Sequence, residues 1–315
     1  MLALEKKSHE LIEHDAQGLF EHVFYTRYGL VWYDGIRHEV DIYDLNGSLK
    51  LRQLLFIAEN LEEMSLSPDG RYISVSFTRE KLREEFKEVV TRVYDLKERE
   101  FIDKKYALQN AGFVLDAQGR LCLAGISVEN KFPLLQVYFL APEEDDDENE
   151  RGKLIYERAF SNSEFPHFIN PGKNGYITYI LEKDGGQFLV SQVFNQLEET
   201  MPVQEKVWKL SDKDDRAIQL LSFRFEQSFL GPIYSFNYIP DDEGSLARAG
   251  YITLSDEFEV AELFTLDCNI NGGVYYPVFA AKRFYYSARK FSHNELRYLH
   301  FASLPFARGS LTSAA

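Results

Sequence analysis

Few residues in this chain have the spacing that a catalytic or metal-binding motif requires. The segment His9-Glu10-Leu11-Ile12-Glu13-His14 has the composition of a zinc-protease helix. That motif needs its histidines four residues apart, so that both face one ion. Here they are five apart, which on a helix turns them about 140° away from each other. The segment is therefore predicted to be a charged surface stretch.

Serine and phosphate chemistry are not indicated either. The nearest approach to a nucleophile elbow, Gly125-Ile126-Ser127-Val128-Glu129, ends in Glu where the motif requires Gly. The glycine pairs Gly185-Gly186 and Gly272-Gly273 are not followed by the Lys-Ser/Thr of a phosphate-binding loop. We interpret them as hairpin turns. No catalytic residue, cofactor or metal is predicted.

The elements that would carry any site have the period of β-strands. Tyr72, Ser74 and Ser76 alternate with Ile73 and Val75, which is the pattern of a strand with two different faces. Similar runs recur along the chain, and several are apolar on both faces, as expected of strands packed between neighbouring sheets. Aromatic residues make up 15% of the chain, which also favours sheets.

Two markers recur in step and divide the chain into six units. The first marks a turn between the first and second strands of each unit, with Lys282 in the sixth place: Gly29, Gly70, Gly119, Gly175, Gly231 and Lys282. The second marks the end of a third strand: Ile42-Tyr43-Asp44-Leu45, Val93-Tyr94-Asp95-Leu96, Val137-Tyr138-Phe139-Leu140 and Gln192-Val193-Phe194-Asn195. Each unit has room for about four strands, the content of a propeller blade.

The second unit carries the clearest repeat. Leu66-Ser67-Pro68-Asp69-Gly70-Arg71-Tyr72-Ile73, followed by Val93-Tyr94-Asp95-Leu96, resembles the repeat of TolB-type propellers and of the propeller in prolyl oligopeptidases. WD-repeat proteins are less similar, because no Gly-His and Trp-Asp pair recurs. The resemblance implies a β-propeller fold, in which the Ser-Pro-Asp-Gly turn joins the innermost strand to the next. It implies no catalytic residue, and no hydrolase domain is expected within this chain.

We therefore predict an all-β, six-bladed β-propeller forming a single domain over residues 1–315, with seven blades as the alternative. Residues 307–315 are expected to be a flexible tail. An outermost strand for the last blade must then come from residues 4–11 or 19–25. The expected helical pieces are residues 3–14 and 79–88, and both cysteines, Cys122 and Cys268, are expected in strands as small buried side chains.

The charge of the chain constrains its partners. The sequence has 50 acidic and 35 basic residues and a net charge of -15, which disfavours nucleic acid and anionic membranes. Part of the excess lies in the acidic run 143–150, interpreted as a solvated loop, with a docking strip for a basic protein or an adventitious calcium site as alternatives. The absence of a signal peptide or membrane span in the sequence predicts a cytoplasmic protein. The oligomeric state is left open.

A propeller binds ligands at one end of its channel, on loops that include the connection from second to third strand. The six predicted connections lie in residues 34–38, 79–88, 128–132, 182–186, 239–249 and 293–295. The longest mixes both charge signs with apolar residues, and its candidate binding residues are Arg79, Lys81, Leu82, Arg83 and Phe86.

These loops predict a non-catalytic binding or scaffolding propeller that contacts a protein partner. Two alternatives stay open. The first is a metal-dependent lactonase- or esterase-like enzyme, whose candidate groups are Asp34, Glu129, Asn130, Glu182 and Asp241. The second is an acidic inhibitor or immunity-type protein that covers a basic surface.

Overall fold

The computed structural model describes residues 10–11, 20–44, 50–80, 87–127, 132–140, 152–194, 204–240, 246–270, 273–290 and 293–314. In these ranges the chain is almost entirely β-strand, and the only helix is one turn of 3₁₀ helix at Phe301–Ser303. Within the same ranges no helix is long and apolar enough to cross a bilayer. The predicted all-β class is confirmed.

The strands form six antiparallel sheets of four or five strands, which are the six blades of a β-propeller. Six blades are confirmed and the seven-bladed alternative is wrong. The described residues belong to two compact units. One unit is made of Met1–Glu59, Ser211–Thr253 and Ala261–Ser310; the other is made of Asn60–Leu210, Leu254–Val260 and Leu311–Ala315. A single domain over the whole chain stays a prediction.

The first unit contains blades 1, 5 and 6. Blade 1 consists of β2 (Phe20–Thr26), β3 (Gly29–Asp34), β4 (Glu39–Asp44) and β5 (Lys50–Ile57). Blade 5 consists of β18 (Ile218–Ser228), β19 (Gly231–Pro240), β20 (Arg248–Leu254), β21 (Val260–Leu266) and β25 (Phe306–Arg308). Blade 6 consists of β22 (Tyr275–Ala280), β23 (Arg283–Lys290), β24 (His293–His300) and β1 (Glu10–Leu11).

The second unit contains blades 2, 3 and 4. Blade 2 consists of β6 (Leu61–Leu66), β7 (Tyr72–Glu80), β8 (Lys87–Asp95) and β9 (Glu100–Tyr106). Blade 3 consists of β10 (Gln109–Leu115), β11 (Leu121–Ser127), β12 (Leu134–Phe139) and β13 (Leu154–Ala159). Blade 4 consists of β14 (Glu164–Pro171), β15 (Tyr176–Lys183), β16 (Gly186–Val193), β17 (Glu205–Ser211) and β26 (Ser310–Ser313).

The turn markers occupy the predicted place in every blade. Four of them lie between the first and second strand, and two, Gly29 and Gly231, are the first residue of the second strand. All six have a positive φ: Gly29 (139°), Gly70 (70°), Gly119 (79°), Gly175 (80°), Gly231 (93°) and Lys282 (60°). Only glycine adopts this left-handed conformation without a steric cost, which explains the recurrence in the sequence. The second marker is confirmed as well, because its four segments run through the ends of β4, β8, β12 and β16.

Each innermost strand carries a bulge that the sequence did not reveal. The ladder to the second strand gains one extra residue in all six blades, between Glu21 and Val23, Leu61 and Glu63, Gln109 and Gly112, His167 and Asn170, Leu220 and Ser222, and Tyr275 and Val278. Four residues within these bulges have a left-handed φ near 50° without being glycine: His22, Asn110, Phe168 and Tyr276. Bulges sharpen the twist of a strand and re-aim its side chains.

The core lies between neighbouring blades. In the second unit one apolar cluster joins blades 3 and 4, with Val114 and Val137 on one side and Ile177 and Tyr179 on the other. The innermost strands approach so closely that a Cβ on Gly112 would lie 1.9 Å from the Ile169 carbonyl oxygen. The first unit has clusters of the same kind between blades 1 and 6 and between blades 5 and 6.

Several expectations about the chain ends and helices are wrong. Residues 307–315 are not simply a tail, because β25 pairs with β21 and β26 with β17 as fifth strands. Residues 79–88 are not helical where described, since Arg79 pairs with Glu88 across β7 and β8. Of the range 3–14, only β1 is described, and it is strand rather than helix.

The predicted source of the outermost strand of the last blade is confirmed for the first of its two alternatives. β1, within residues 4–11, is the outermost strand of blade 6, whereas residues 20–26 form the innermost strand of blade 1.

The cysteines differ from each other in environment. Cys122 lies in β11, and burial raises the pKa of its thiol to about 12. Cys268 follows the end of β21, so its expected place in a strand is wrong, and it is half-buried. Both are free thiols.

The turn between β22 and β23 offers a test of the backbone argument. Lys282→Gly should raise the free energy of unfolding by about 1 kcal/mol, because Lys282 holds φ 60° where glycine is unstrained. Gly231→Ala is the matched substitution in the opposite direction. No atom lies within 4 Å of the added Cβ, so a decrease of about 1 kcal/mol in the free energy of unfolding would come from the backbone φ of 93° alone. Denaturant unfolding measures both, and a destabilised Lys282→Gly protein would refute the assignment.

Candidate binding site

A large cleft in the described part of the second unit lies at the end of blades 2 and 3 that carries their first turns. Its volume is about 1010 Å³. We call it the turn-end cleft. Its lining comes from the β6–β7 turn, the end of β8, the first five residues of β9, the β10–β11 turn, and Phe258 in the turn after β20.

The turns beside the cleft are held by side-chain hydrogen bonds. The Tyr72 amide donates to the Ser67 hydroxyl at 2.8 Å, and the Ser67 hydroxyl donates to the Asp69 carboxylate at 2.5 Å. In blade 3 Asp116 takes the place of Ser67, and one of its oxygens accepts the amides of Gln118 and Arg120 at 2.9 and 2.8 Å. In this way short polar side chains provide hydrogen-bond partners for backbone amides of the turn that are not paired in a β-sheet.

Each of the two arginines in the cleft is already paired with an aspartate. The Arg71 guanidinium contacts both oxygens of Asp95, with Nη2 to Oδ2 at 2.6 Å, and the two side chains are only 11% and 8% exposed. Nε of Arg120 donates to Asp116 at 2.7 Å. The charges of the two arginines are therefore neutralised within the protein, whereas Lys104, a third cation in the lining, donates to the Gly152 carbonyl at 2.6 Å. The two-point contact with Asp95 also fixes the guanidinium plane of Arg71.

The electrostatics of the Arg71–Asp95 pair favour the charged form of the carboxyl. Burial alone would raise the pKa of Asp95, but the hydrogen bonds from Arg71 and from the amides of Glu98 and Lys97 outweigh that effect. The pKa of Asp95 consequently lies below its ordinary 3.8.

The walls of the cleft are aromatic and aliphatic, and its rim is acidic. Tyr72, Phe101 and Phe258 are half-buried, and the guanidinium carbon of Arg71 lies 4.8 Å from the centre of the Tyr72 ring. Four lining carboxylates are exposed: Asp69, Glu98, Glu100 and Asp103. The cleft thus combines apolar surface with a negative rim, a combination suited to a ligand that is both apolar and basic.

A second cavity, of about 240 Å³, lies beside the bulges of β6 and β10 in the same unit. Its lining is mainly polar and includes Glu62, Thr78 and Asn110; the Thr78 hydroxyl donates to the Glu62 carboxylate. Below it, Ser76 and Thr91 bond each other at 2.7 Å, and Thr91 donates to the Leu108 carbonyl of the next blade at 2.7 Å. This polar ladder joins blades 2 and 3.

The first unit contains a buried charged cluster on its innermost strands. The Arg224 guanidinium donates to the carbonyl of Val23 at 2.9 Å and lies 5.4 Å from the Tyr276 ring, which itself is 5.4 Å from the His22 ring. Two positions further along β18, Glu226 accepts hydrogen bonds from the Ser235 hydroxyl at 2.5 Å and the Phe279 amide at 3.1 Å. Burial raises the pKa of Glu226, and this effect outweighs the lowering by Arg224 and by these two hydrogen bonds. The resulting pKa is about 7.

Of the predicted binding residues, only Arg79 belongs to the described part of the chain. Its backbone lies in β7, paired with Glu88, while Lys81, Leu82, Arg83 and Phe86 lie outside the described residues. The position between the second and third strands is confirmed for five of the six loop ranges, whereas residues 293–295 lie within β24. Binding through these loops stays a prediction, and the acidic run 143–150 also lies outside the described residues.

Two of the groups considered for an enzyme, Asp34 and Glu182, lie in the described part of the chain. The Asp34 side chain is fully buried rather than solvated, and it contacts Arg37 at 2.7 Å. Burial alone would raise the pKa of Asp34, but the hydrogen bonds from Arg37 and from the Ile36 amide hold that pKa below 3.8. Glu182 contacts His167 at 3.3 Å. Glu129, Asn130 and Asp241 lie outside the described residues. Within the described ranges, no three His, Cys, Asp or Glu side chains are placed to hold one metal ion.

Several residues of the turn-end cleft belong to the clearest repeat of the sequence, where the pattern predicts only a turn and the end of a strand. Arg71 follows the Ser-Pro-Asp-Gly turn and Asp95 ends the third strand of the same blade. Their position in the repeat predicts that they meet, because the first and third turns of a blade lie at the same end of its sheet. No pattern in the sequence around Phe258 indicates that this residue lines the cleft.

The Arg71–Asp95 pair should contribute to stability. Asp95→Asn is expected to lower the free energy of unfolding by about 3 kcal/mol at pH 7, because it leaves a nearly buried guanidinium without its counter-charge. Asp103→Asn, at the exposed rim, should change it by less than about 0.5 kcal/mol.

The pH dependence of that effect has a defined sign. Because the pKa of Asp95 is below 3.8 in the folded protein, its contribution is complete above 3.8 and is lost as the pH falls through the folded value. The difference between wild type and Asp95→Asn should therefore shrink below pH 3.8. A difference independent of pH in urea titrations would contradict the ion pair.

Glu226 should have the opposite pH dependence. Its carboxyl binds a proton more tightly when folded, with a pKa of about 7 against an ordinary 4.5. Relative to Glu226→Gln, the wild type should lose about 3 kcal/mol of unfolding free energy as the pH rises from 4.5 to 7. Chemical denaturation across this pH range measures the difference in unfolding free energy between the two proteins. A difference that does not change with pH would argue against a buried Glu226 carboxyl with a raised pKa.

Comparison with known proteins finds similarity in structure and none in sequence. No family model matches the chain, and no curated protein matches it in sequence. A prolyl endopeptidase structure is 10% identical with a TM-score of 0.50, covering 95% of this chain and 51% of that one. TolB from Acinetobacter baumannii is 10% identical with a TM-score of 0.49, covering 94% of this chain and 65% of that one. The β-propeller domain of the Trilobed protease from Pyrococcus furiosus is 11% identical with a TM-score of 0.43, covering 92% and 84%.

The chain therefore spans 65% and 51% of the first two proteins that it resembles. At 10% identity the likeness to the prolyl endopeptidase shows the fold alone. The fold-level resemblance predicted from the repeats is confirmed: this chain has the β-propeller fold.

Proposed function

We propose that this protein is a non-catalytic binding propeller and that its turn-end cleft holds a basic, apolar segment of a protein partner. The observation that carries the proposal is the division of charge in the cleft. Arg71 and Arg120 are each paired with an aspartate, while the carboxylates at the rim are exposed. A ligand therefore meets a surface that is negative at its edge and apolar inside.

The chemistry of the lining favours a peptide segment over a small anion. Anions are bound by arginines with free donors, and here the donors of Arg71 face Asp95. The aromatic walls offer a large rigid contact surface for an apolar side chain or for a lysine or arginine stem. Exposed carboxylates such as Glu100 and Asp103 would attract the basic groups of the same segment.

The net charge of -15 is consistent with such a partner. A strongly acidic protein attracts basic surfaces over the screening distance of about 8 Å at physiological ionic strength. The loops between second and third strands, including Arg79, Lys81, Leu82, Arg83 and Phe86, stay predicted as a further contact region. The cytoplasmic location and the exclusion of nucleic acid and membranes also remain sequence-based proposals.

The proposal can be tested with a random peptide-display library selected on the purified protein. Selected peptides should combine lysine or arginine with aromatic or branched apolar residues, and their affinity should fall severalfold as salt rises from low to high concentration. Glu100→Lys and Asp103→Lys should each weaken binding by about threefold to tenfold, since each reverses one rim charge.

Glu59→Lys is the matched control, because it makes the same charge change at an exposed position that does not line the cleft. It should leave the affinity within about twofold, since no lining carboxylate is changed. Equal losses for Glu59→Lys and Glu100→Lys would show that only net charge matters, and selected peptides without basic residues would overturn the proposed ligand class.

A further inference from the structure

The outer edges of two blades already accept an added strand. In blade 5, β25 pairs with the outer strand β21, with Phe264 opposite Arg308 and Leu266 opposite Phe306. In blade 4, β26 lies beside the outer strand β17, and the Ala314 amide donates to the Val207 carbonyl at 2.9 Å. Both added strands come from the last residues of the chain, so five-stranded blades are compatible with this fold.

Blade 2 has no such strand in the described residues, and β9 is the last strand of its sheet. The ladder between β8 and β9 is also irregular, because Arg92 pairs with Lys105 and Tyr94 with Phe101. Three residues of β9, Ile102 to Lys104, therefore oppose Val93 alone. Such a bulge twists the edge and displaces its backbone from the regular ladder.

The turn-end cleft follows this edge. Five successive residues of β9, from Glu100 to Lys104, line it. β9 is the outermost described strand of blade 2, and the bulge at Ile102–Lys104 breaks the regular alternation of its side chains between the two faces of the sheet. A cleft lined by five consecutive residues of this strand therefore borders the described edge of blade 2.

We propose that the ligand of the turn-end cleft binds as an extended segment beside β9 and becomes the fifth strand of blade 2. The inference rests on the proposed function and adds its binding mode. Main-chain hydrogen bonds to the edge of β9 would supply affinity, and the side chains of the segment would supply selectivity. Its apolar side chains meet Phe101 and Ile102, which are half-buried, and its basic side chains meet the exposed Glu100 and Asp103.

The test uses a defined probe, a nine-residue peptide of alternating valine and lysine with blocked ends. Two further versions carry backbone N-methyl groups, one on the valines and one on the lysines. Because the amides of a strand alternate between its two edges, only one of these sets would face β9. We expect one methylated peptide to bind at least about tenfold more weakly than the parent and the other within about threefold.

Backbone hydrogen exchange locates the contact. The parent peptide should slow exchange of the amides of Glu100–Lys104, and Asp103→Lys should reduce both protection and affinity, while Glu59→Lys changes neither. Protection confined to another blade edge would overturn the proposal.

The outcomes separate the binding mode from the function. If both methylated peptides bind like the parent, or lose affinity equally, strand addition is wrong, while charge-dependent binding in the display experiment would still support the proposed function. If the parent peptide fails to bind and selected peptides do not respond to Glu100→Lys, both proposals are wrong.

Discussion

The structure depends on the close packing of each blade against its neighbours. A four-stranded sheet that is apolar on both faces cannot bury its own surface, so its stability comes from the sheets beside it. In the second unit the innermost strands β10 and β14 approach so closely that Gly112 has no room for a Cβ. Hydroxyl groups also join blades 2 and 3: Ser74 donates to the Ala111 carbonyl of β10, and Thr91, which bonds Ser76, donates to the Leu108 carbonyl just before β10. Packing of this kind fixes the strands and leaves their turns at the surface.

The turns are organised by local hydrogen bonds rather than by packing. Ser67 and Asp116 hold the first turns of blades 2 and 3, and Asp212 holds the connection from β17 to β18. Asp116 and Asp212 each bond an arginine four residues later, so these arginines are neutralised where they stand. The consequence for the turn-end cleft is that its two arginines are structural, and its four exposed carboxylates outweigh Lys104 in the charge that a ligand meets. The binding chemistry follows from how the turns are stabilised.

A large part of the fold was predictable, and the reason is conformational. Glycine recurs at the first turn of five blades because the backbone there is left-handed, and Lys282 could be placed in the sixth by spacing alone. The bulges were not predictable, since residues such as His22 and Asn110 have no intrinsic preference strong enough to mark them. The fifth strands β25 and β26 were missed because short polar segments pair only when an outer edge is available.

The sequence by itself indicated six repeat units, the place of each turn and the acidic character of the protein, because these depend on local backbone conformation and on composition. Tertiary structure decided the site. Arg71 and Asp95 are separated by the length of β7 and β8 and meet only in the folded blade, and Phe258 reaches the cleft from a turn far along the chain. It also decided that Glu226 is buried with a raised pKa, since Ser235 and Phe279 enclose it from two other strands. Contacts between distant segments are set by packing, and no single stretch of sequence contains that information.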